Sequence, residues 1–271
     1  MKILPPRTAH RGAPRGVGAL LRDSLELALD GLATYAALVV ALMLPLGTAC
    51  VWIIIRFGLT SARAVRLAWE AGQSGRLLAI GAVSAALFAA SLLFNAAKYL
   101  DLDARARNAP LGAEEAMRRG AGLILPLAAV TVLDMLAILA GLLLLVVPGV
   151  VALLRFLLVA QALILENRRG LEAFRRSNEI MAAHVGKVVG NLFVMIVVMA
   201  ASDMILKFGA VLGVVALMLL LRPPNALVIP FAVAASALFL FLRFLVGVWS
   251  SAFKTLLYRD LAALHPAAPA A

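Results

Sequence analysis

The chain is dominated by apolar runs close to the length that a helix needs to cross a membrane. A helix requires about 20 mostly apolar residues to span the hydrocarbon core of a bilayer. Six runs approach this length, and basic or proline-containing segments separate most of them. They cover Ala33–Ile55, Leu77–Ala97, residues 120–147, Val150–Leu165, a stretch from Val188 to about Asp203, and Asn225–Trp249. We therefore predict an all-α, polytopic integral membrane protein with about six transmembrane helices.

The composition excludes the main soluble classes of protein. Hydrophobic residues make up 64% of the 271 residues and charged residues 14%, whereas soluble domains are about 45–50% apolar and about 25% charged. Disorder requires low hydrophobicity. The net charge of +11 would suit a nucleic-acid-binding protein, but the hydrophobicity would not, so no nucleic-acid partner is expected. The single cysteine, Cys50, excludes a disulfide framework and a cysteine-based zinc site.

The predicted membrane domain occupies residues 17–260. Residues 1–16 are predicted to be a disordered basic tail, and residues 261–271 a disordered C-terminal tail. Within the domain, Phe208–Leu221 is ambiguous because its fourteen apolar residues are short for a span. It fits a seventh span, a re-entrant or interfacial segment, or an extension of the fifth helix.

The distribution of basic residues predicts the orientation of the chain. Lysine and arginine concentrate on the cytoplasmic side of membrane proteins. With six spans, 17 of the 25 basic residues fall on the side of the N-terminus, six fall on the other side, and two lie within spans. We therefore expect both termini in the cytoplasm.

Three amphipathic stretches are expected at the cytoplasmic surface of the membrane. In Gly18–Leu32, Leu21 and Leu25 are predicted on an apolar face, opposite Arg22 and Glu26. The other two stretches share one pattern, in which a glutamate, an alanine and an apolar residue precede two arginines. They are Glu115-Ala116-Met117-Arg118-Arg119 and, 57 residues later, Glu172-Ala173-Phe174-Arg175-Arg176.

Two explanations account for this repeated pattern. One is an ancient duplication of a unit that combines an amphipathic helix with two spans. The other is that the positive-inside topology requires a basic segment before each inward-starting span. Under either explanation, we expect the arginines to bind anionic lipid headgroups, at about 1 kcal/mol for each basic residue. These are Arg118, Arg119, Arg175 and Arg176.

Four ionisable residues fall within the predicted spans, where a charge is costly and marks either function or a buried pair. They are Asp134, Arg155, Asp203 and Arg243, and Glu166 ends the fourth run. The helical rise of 1.5 Å per residue places Arg155 and Asp203 at similar depths. It places Arg243 and Glu166 near cytoplasmic span ends. We therefore predict the pairs Arg155–Asp203 and Arg243–Glu166, which leaves Asp134 without an obvious partner.

These charges have two interpretations. They form structural ion pairs that set the helix register, or they line a polar cavity for an ion, a proton or a lipid headgroup. In the second case, Asp134 would be the group that titrates.

The block from Pro148 to Gly186 resembles a known family. It contains Pro148-Gly149 at a helix break, followed by Arg155, Glu166 and the segment Leu171–Ser177. This block resembles the membrane domain associated with glycerophosphoryl diester phosphodiesterases and related six-span bacterial membrane families. The resemblance implies an all-helical protein of the bacterial inner membrane, in a family whose members are either fused to a soluble phosphodiesterase or stand alone.

The catalytic half of those enzymes is not expected in this chain. They use a soluble barrel with a His-Arg-Gly motif that Glu-Asn-Thr follows shortly. His10-Arg11-Gly12 lies in the basic tail without the carboxylates that metal-dependent cleavage requires. We therefore predict no enzymatic activity, no catalytic residue, no metal and no cofactor.

Two functions remain open after this comparison. The first is a non-enzymatic scaffold or lipid-associated accessory role, and the second is transport of a small or lipidic substrate through a site around Asp134, Arg155 and Asp203. Small residues four apart, at Gly186 and Gly190 and at Gly209 and Gly213, fit helix packing within the bundle first and a homo-oligomer second. Any protein partner is unknown.

Overall fold

The computed structural model describes residues 15–56, 70, 72, 74–144, 155–221 and 225–264. These residues are almost entirely helical, and no strand occurs among them. The α-helices are α1 (Val17–Asp30), α2 (Leu32–Leu38), α3 (Leu44–Arg56), α4 (Ser74–Ala106), α5 (Ala113–Ala121), α6 (Ile124–Leu144), α7 (Val159–Glu166), α8 (Leu171–Leu221) and α9 (Asn225–Leu264). The predicted all-α class is confirmed.

Five stretches of the described chain are long and apolar enough to cross a membrane. They are Leu32–Ala49, Gly81–Ala106, Ile124–Gly141, Val185–Gly209 and Leu238–Leu264. Many of their large apolar side chains point away from the protein, as with Leu125 at 80% and Met135 at 72% exposed. Such surfaces are stable in lipid and costly in water. The predicted run Val150–Leu165 lies partly outside the described residues, and its end forms α7.

The length of helix α8 distinguishes the alternatives for Phe208–Leu221. It is continuous over 51 residues, about 76 Å at 1.5 Å per residue. Phe208–Leu221 therefore extends the fifth predicted helix and is not a separate span or a re-entrant segment. The sequence explains this continuity because no proline occurs between Leu171 and Leu221, whereas Pro223 and Pro224 follow at once.

A π-helical turn joins α2 to α3. It covers Val39–Met43 and directly precedes α3, whose second residue is Pro45. Proline lacks an N–H donor and its ring collides with the carbonyl one turn earlier in a regular α-helix. The wider π turn accommodates the proline without ending the helical path.

The helices form two compact units. The first unit, Gly31–Ser177, contains α2 to α7 and the start of α8, and in it α4 contacts α3, α5, α6 and α7. Helix α5 lies very close to α4, since a Cβ atom added at Gly120 would be 3.1 Å from the backbone nitrogen of Ala97. Ala96 and Ala97 are themselves fully buried. Small residues on both helices therefore allow this close approach.

The second unit comprises residues 15–30 and 178–264 and pairs α1 with α9. Leu20 and Leu27 of α1 are each 1% exposed, whereas Leu25 is 42% exposed. The indole Nε1 of Trp249 donates to Leu21 O at 3.2 Å and to Ser24 Oγ at 3.0 Å. Leu25, on the predicted apolar face, therefore lies outside the side of α1 that packs within the unit.

Packing against α9 explains this difference. The α1 helix has leucines on two adjacent faces. The contacts made by α9, including the indole hydrogen bonds, bury the face that contains Ser24. Helix α9 itself continues to Leu264, through residues 261–264 of the predicted C-terminal tail. Residues 1–14 and 265–271 of the predicted tails lie outside the described residues.

Candidate functional site

Asp203 of α8 pairs with two cations in the second unit. Its Oδ1 lies 2.5 Å from NH1 of Arg243 on α9, and its Oδ2 lies 2.6 Å from Nζ of Lys207, one turn along α8. The predicted Arg155–Asp203 pair is therefore wrong. The predicted depths rested on runs that end near Asp203 and at Trp249, whereas α8 and α9 continue to Leu221 and Leu264.

The Asp203–Arg243 pair borders an apolar cleft of about 270 Å³. The side chains of Met199, Leu206 and Val246 also line this cleft. Asp203 is 30% exposed and Arg243 51% exposed. The cleft therefore contains one compensated ion pair, a composition more typical of a structural contact than of a polar path for an ion.

Glu166 binds the start of α8 and not α9. Its Oε2 lies 3.0 Å from Nε of Arg176 and 3.3 Å from Nε of Arg168. The predicted Arg243–Glu166 pair is therefore wrong. The loop accounts for the actual pairing, because Asn167 and Gly170 both have positive φ values, each 55°. The chain turns tightly there and returns α8 to the end of α7.

Asp134 and Arg155 occupy different kinds of environment in the first unit. Asp134 is half-buried in the middle of α6, and its Oδ1 has no hydrogen-bond partner among the described residues. The Arg155 side chain is exposed, and its backbone carbonyl accepts a 2.7 Å hydrogen bond from Ser177 Oγ. Asp134 and Arg155 belong to the first unit, whereas Asp203 belongs to the second, where Arg243 and Lys207 are its partners.

A polar cluster at the end of α4 was missed by the sequence analysis. Asp101 is fully buried and accepts hydrogen bonds from Nε of Arg105 at 2.6 Å and from the backbone N–H of Leu111 at 3.1 Å. Arg105 also donates to Oγ1 of Thr34 on α2 at 2.7 Å. The spacing of Asp101 and Arg105, four residues apart directly after an apolar run, was the available signal. The cluster ties α2, α4 and the α4–α5 loop together.

The arginines predicted to bind lipid headgroups fall into two groups. Arg118 and Arg119 on α5 are 77% and 59% exposed, and both bind the carboxylate of Glu115. Hydrogen bonds from Arg119 and Arg118 lower the pKa of Glu115 below its usual value. Arg175 is also exposed. Arg176 differs, because its side chain is 6% exposed and holds Glu166.

The glycine pairs of α8 do not pack against other described parts of the chain. A Cβ atom added at Gly186, Gly190, Gly209 or Gly213 would meet nothing within 4 Å. The expected role in packing within the bundle is therefore not observed for these residues.

No three His, Cys, Asp or Glu side chains within the described ranges lie close enough to hold a metal ion. His10-Arg11-Gly12 and Pro148-Gly149 lie outside the described residues.

Comparisons with known proteins do not place the chain in a family. No family model matches it, and no curated protein or solved structure matches it either. The similarity of residues 148–186 to the phosphodiesterase-associated membrane domain therefore stays a prediction.

Proposed function

We propose that the chain is a non-enzymatic multi-pass membrane protein with a scaffold or lipid-associated accessory role. We place it in the bacterial inner membrane with both termini in the cytoplasm, as the basic-residue distribution and the resemblance imply. Membrane lipids, in particular those with anionic headgroups, are the proposed partners. A homo-oligomer is compatible with the exposed glycine pairs of α8.

The observation that carries this proposal is the compensation of charge in the apolar helices. Asp203 lies within hydrogen-bonding distance of Arg243 and Lys207, and Asp101 within that of Arg105. A transport path needs polar groups that exchange partners with a passing substrate, whereas paired charges instead set the register of neighbouring helices. The pairing supports an accessory role over transport.

Exposed arginines at the start of a span support the association with lipid. Helix α5 ends at Ala121, and α6, which contains the apolar stretch Ile124–Gly141, begins three residues later. Arg118 and Arg119 are therefore close to one boundary of that stretch. Helix α5 has no net charge, because Glu114 and Glu115 lie in its first turn, but both arginines lie in its last turn, next to the apolar stretch, where they can meet an anionic headgroup.

Native mass spectrometry of the detergent-purified protein tests this proposal. We expect anionic phospholipid to be retained, and Arg118→Gln or Arg119→Gln to weaken its binding about fivefold each. Arg56→Gln is the matched control, because Arg56 is also an exposed arginine at a helix end. Absence of retained lipid, or equal effects of all three substitutions, would reject the lipid-associated role.

One observation favours transport as a second candidate. The half-buried carboxylate of Asp134 has an oxygen without a hydrogen-bond partner in the described chain, and such a group in a span is a candidate proton or ion carrier. The test is flux of protons or cations into proteoliposomes. Transport through Asp134 predicts a flux that Asp134→Asn abolishes, and an undiminished flux in this variant would exclude that residue as the carrier.

A further inference from the structure

A second cleft, of about 250 Å³, lies in the second unit between α1, α8 and α9. Its polar lining comes from Arg15, Lys187, Asn191 and Asp260, and leucines including Leu20 and Leu257 form its apolar wall. The cleft thus places cationic, amide and carboxylate groups beside an apolar surface. This combination matches a molecule that has a charged head and a hydrocarbon tail.

The position of the cleft along the helices fits the level of lipid headgroups. Lys187 lies in the first turn of the apolar stretch Val185–Gly209, and Asp260 lies close to the end of the stretch Leu238–Leu264. The Asp203–Arg243 pair lies further along both helices, towards Leu221 of α8 and Asn225 of α9. The separation along each helix is about 24–26 Å at 1.5 Å per residue, so the cleft and this ion pair lie at different levels.

Asp260 provides a hydrogen-bond acceptor that the described protein leaves unused. Its side chain is 4% exposed, and its Oδ2 lies 3.4 Å from the backbone nitrogen and 3.5 Å from Nε of Arg15. Its Oδ1 is buried and has no hydrogen-bond partner among the described residues. A buried carboxylate oxygen without a donor is destabilising, so a ligand that supplies an N–H or O–H donor would be favoured at this position.

We propose that this cleft binds a phospholipid whose phosphodiester carries a hydrogen-bond-donating headgroup, either an ammonium or a hydroxyl. The phosphate binds the ammonium of Lys187 and the amide of Asn191. The headgroup donor binds Oδ1 of Asp260, and the acyl chains lie along the leucine wall. This inference rests on the proposed lipid-associated role and adds the headgroup class and the residues that select it.

The choline headgroup provides a direct test, because its quaternary ammonium has no N–H donor. The delipidated full chain is mixed in detergent with equal amounts of phosphatidylethanolamine, phosphatidylglycerol and phosphatidylcholine that have the same acyl chains. Native mass spectrometry then measures the occupancy of each lipid. We expect the ethanolamine or the glycerol lipid to bind about tenfold more tightly than the choline lipid, and the tighter of the two identifies the donor.

Two variants assign the contacts. Lys187→Gln is expected to weaken all three lipids about fivefold. Lys207→Gln, on the same helix about 30 Å further along at 1.5 Å per residue, is the matched control and should leave the occupancies unchanged. If the ethanolamine lipid is the tighter one, Asp260→Asn is expected to abolish its selectivity over choline, because Arg15 retains the amide oxygen and the amide N–H₂ then faces an ammonium, which cannot accept a hydrogen bond.

Several outcomes would overturn the inference. Binding of the choline lipid by the wild type as tightly as both the ethanolamine and the glycerol lipids would exclude the donor contact. Equal behaviour of Lys187→Gln and Lys207→Gln would exclude the phosphate contact. If Asp260→Asn does not fold, the selectivity of the wild type against choline still tests the contact between the headgroup donor and Asp260. Complete absence of bound phospholipid would reject the proposed function itself, whereas retained lipid without these dependences would reject only the cleft.

Discussion

The two segments that share the Glu-Ala-x-Arg-Arg pattern use identical residues in different ways. In α5, Arg119 is exposed and binds Glu115 within its own helix. At the start of α8, Arg176 occupies the equivalent position 57 residues later, but it is buried and binds Glu166 of the preceding helix. The equivalent arginine therefore lies on the surface in one segment and packs between helices in the other.

Other equivalent positions are alike in the two segments. Ala116 and Ala173 are both fully buried. Asn108 lies seven residues before Glu115 and Asn167 five residues before Glu172, so they are not at equivalent positions, but both have left-handed backbones, with φ values of 60° and 55°. These similarities favour a common design of helix, turn and amphipathic helix, and they are compatible with duplication as well as with a repeated topological need.

The largest expected change in stability concerns Arg176 and Arg119, the equivalent arginines of the two segments. Arg176→Gln should lower the free energy of unfolding by about 3 kcal/mol, because it leaves the partly buried Glu166 without its main partner. Arg119→Gln, at the equivalent exposed position, should leave the unfolding transition almost unchanged. Chemical denaturation in detergent, followed by circular dichroism, measures both variants. Equal destabilisation would contradict the distinction between a packing arginine and a surface arginine.

A smaller effect is expected where the pattern continues into Gly120 and Ser177. Gly120→Ala should destabilise by about 1 kcal/mol, because the new Cβ would lie 3.1 Å from the Ala97 backbone nitrogen, which cannot move without disturbing α4. Ser177→Ala should cost a similar amount, about 1 kcal/mol, through loss of the hydrogen bond to Arg155 O.

The matched control for this pair is Gly186→Ala, since a Cβ there meets nothing within 4 Å. Its better helix propensity should leave stability equal or slightly higher. Thermal unfolding in one detergent compares all three variants. A stabilised Gly120→Ala protein would show that α5 and α4 can separate without cost.

The smallest effect concerns pH. The folded-state pKa of Glu115 is lowered by Arg119 and Arg118, so its contribution to stability is present above the unfolded pKa of about 4.3 and is lost as the pH falls through the lower folded value. Glu115→Gln should therefore lower stability slightly at neutral pH and remove this part of the acid dependence. Unfolding curves across the acid range measure it, and an unchanged acid profile in the variant would count against the Glu115 contacts.

Much of the fold could be predicted from the pattern of residues alone. Runs such as Leu77–Ala97 require burial in lipid or protein, so the helical class and the membrane character follow from hydropathy. The helix boundaries were less predictable, since α4 continues past Lys98 to Ala106 and buries Asp101. A charged residue ends an apolar run, but it does not end a helix when it forms an ion pair.

The candidate site was predictable in residue type but not in pairing. Asp203, Arg243 and Glu166 were identified as charges that require partners, whereas the partners themselves depended on the true extents of α8 and α9. Asp260 was not singled out, because no local pattern distinguishes it from an ordinary charge near the end of the chain. Only its burial beside Arg15 and its unused oxygen mark it.

The sequence by itself determined that this chain is helical, that it is too apolar for water, and that its basic residues cluster between the apolar runs. These properties are local or compositional, and each residue contributes to them independently of its distant neighbours. Only the tertiary structure decided which stripe of α1 is buried, which arginine of the repeated pattern is hidden, and which cation meets Asp203. Those choices depend on helix ends and rotations, because a shift of one turn moves a charge by about 5.4 Å and exchanges one partner for another.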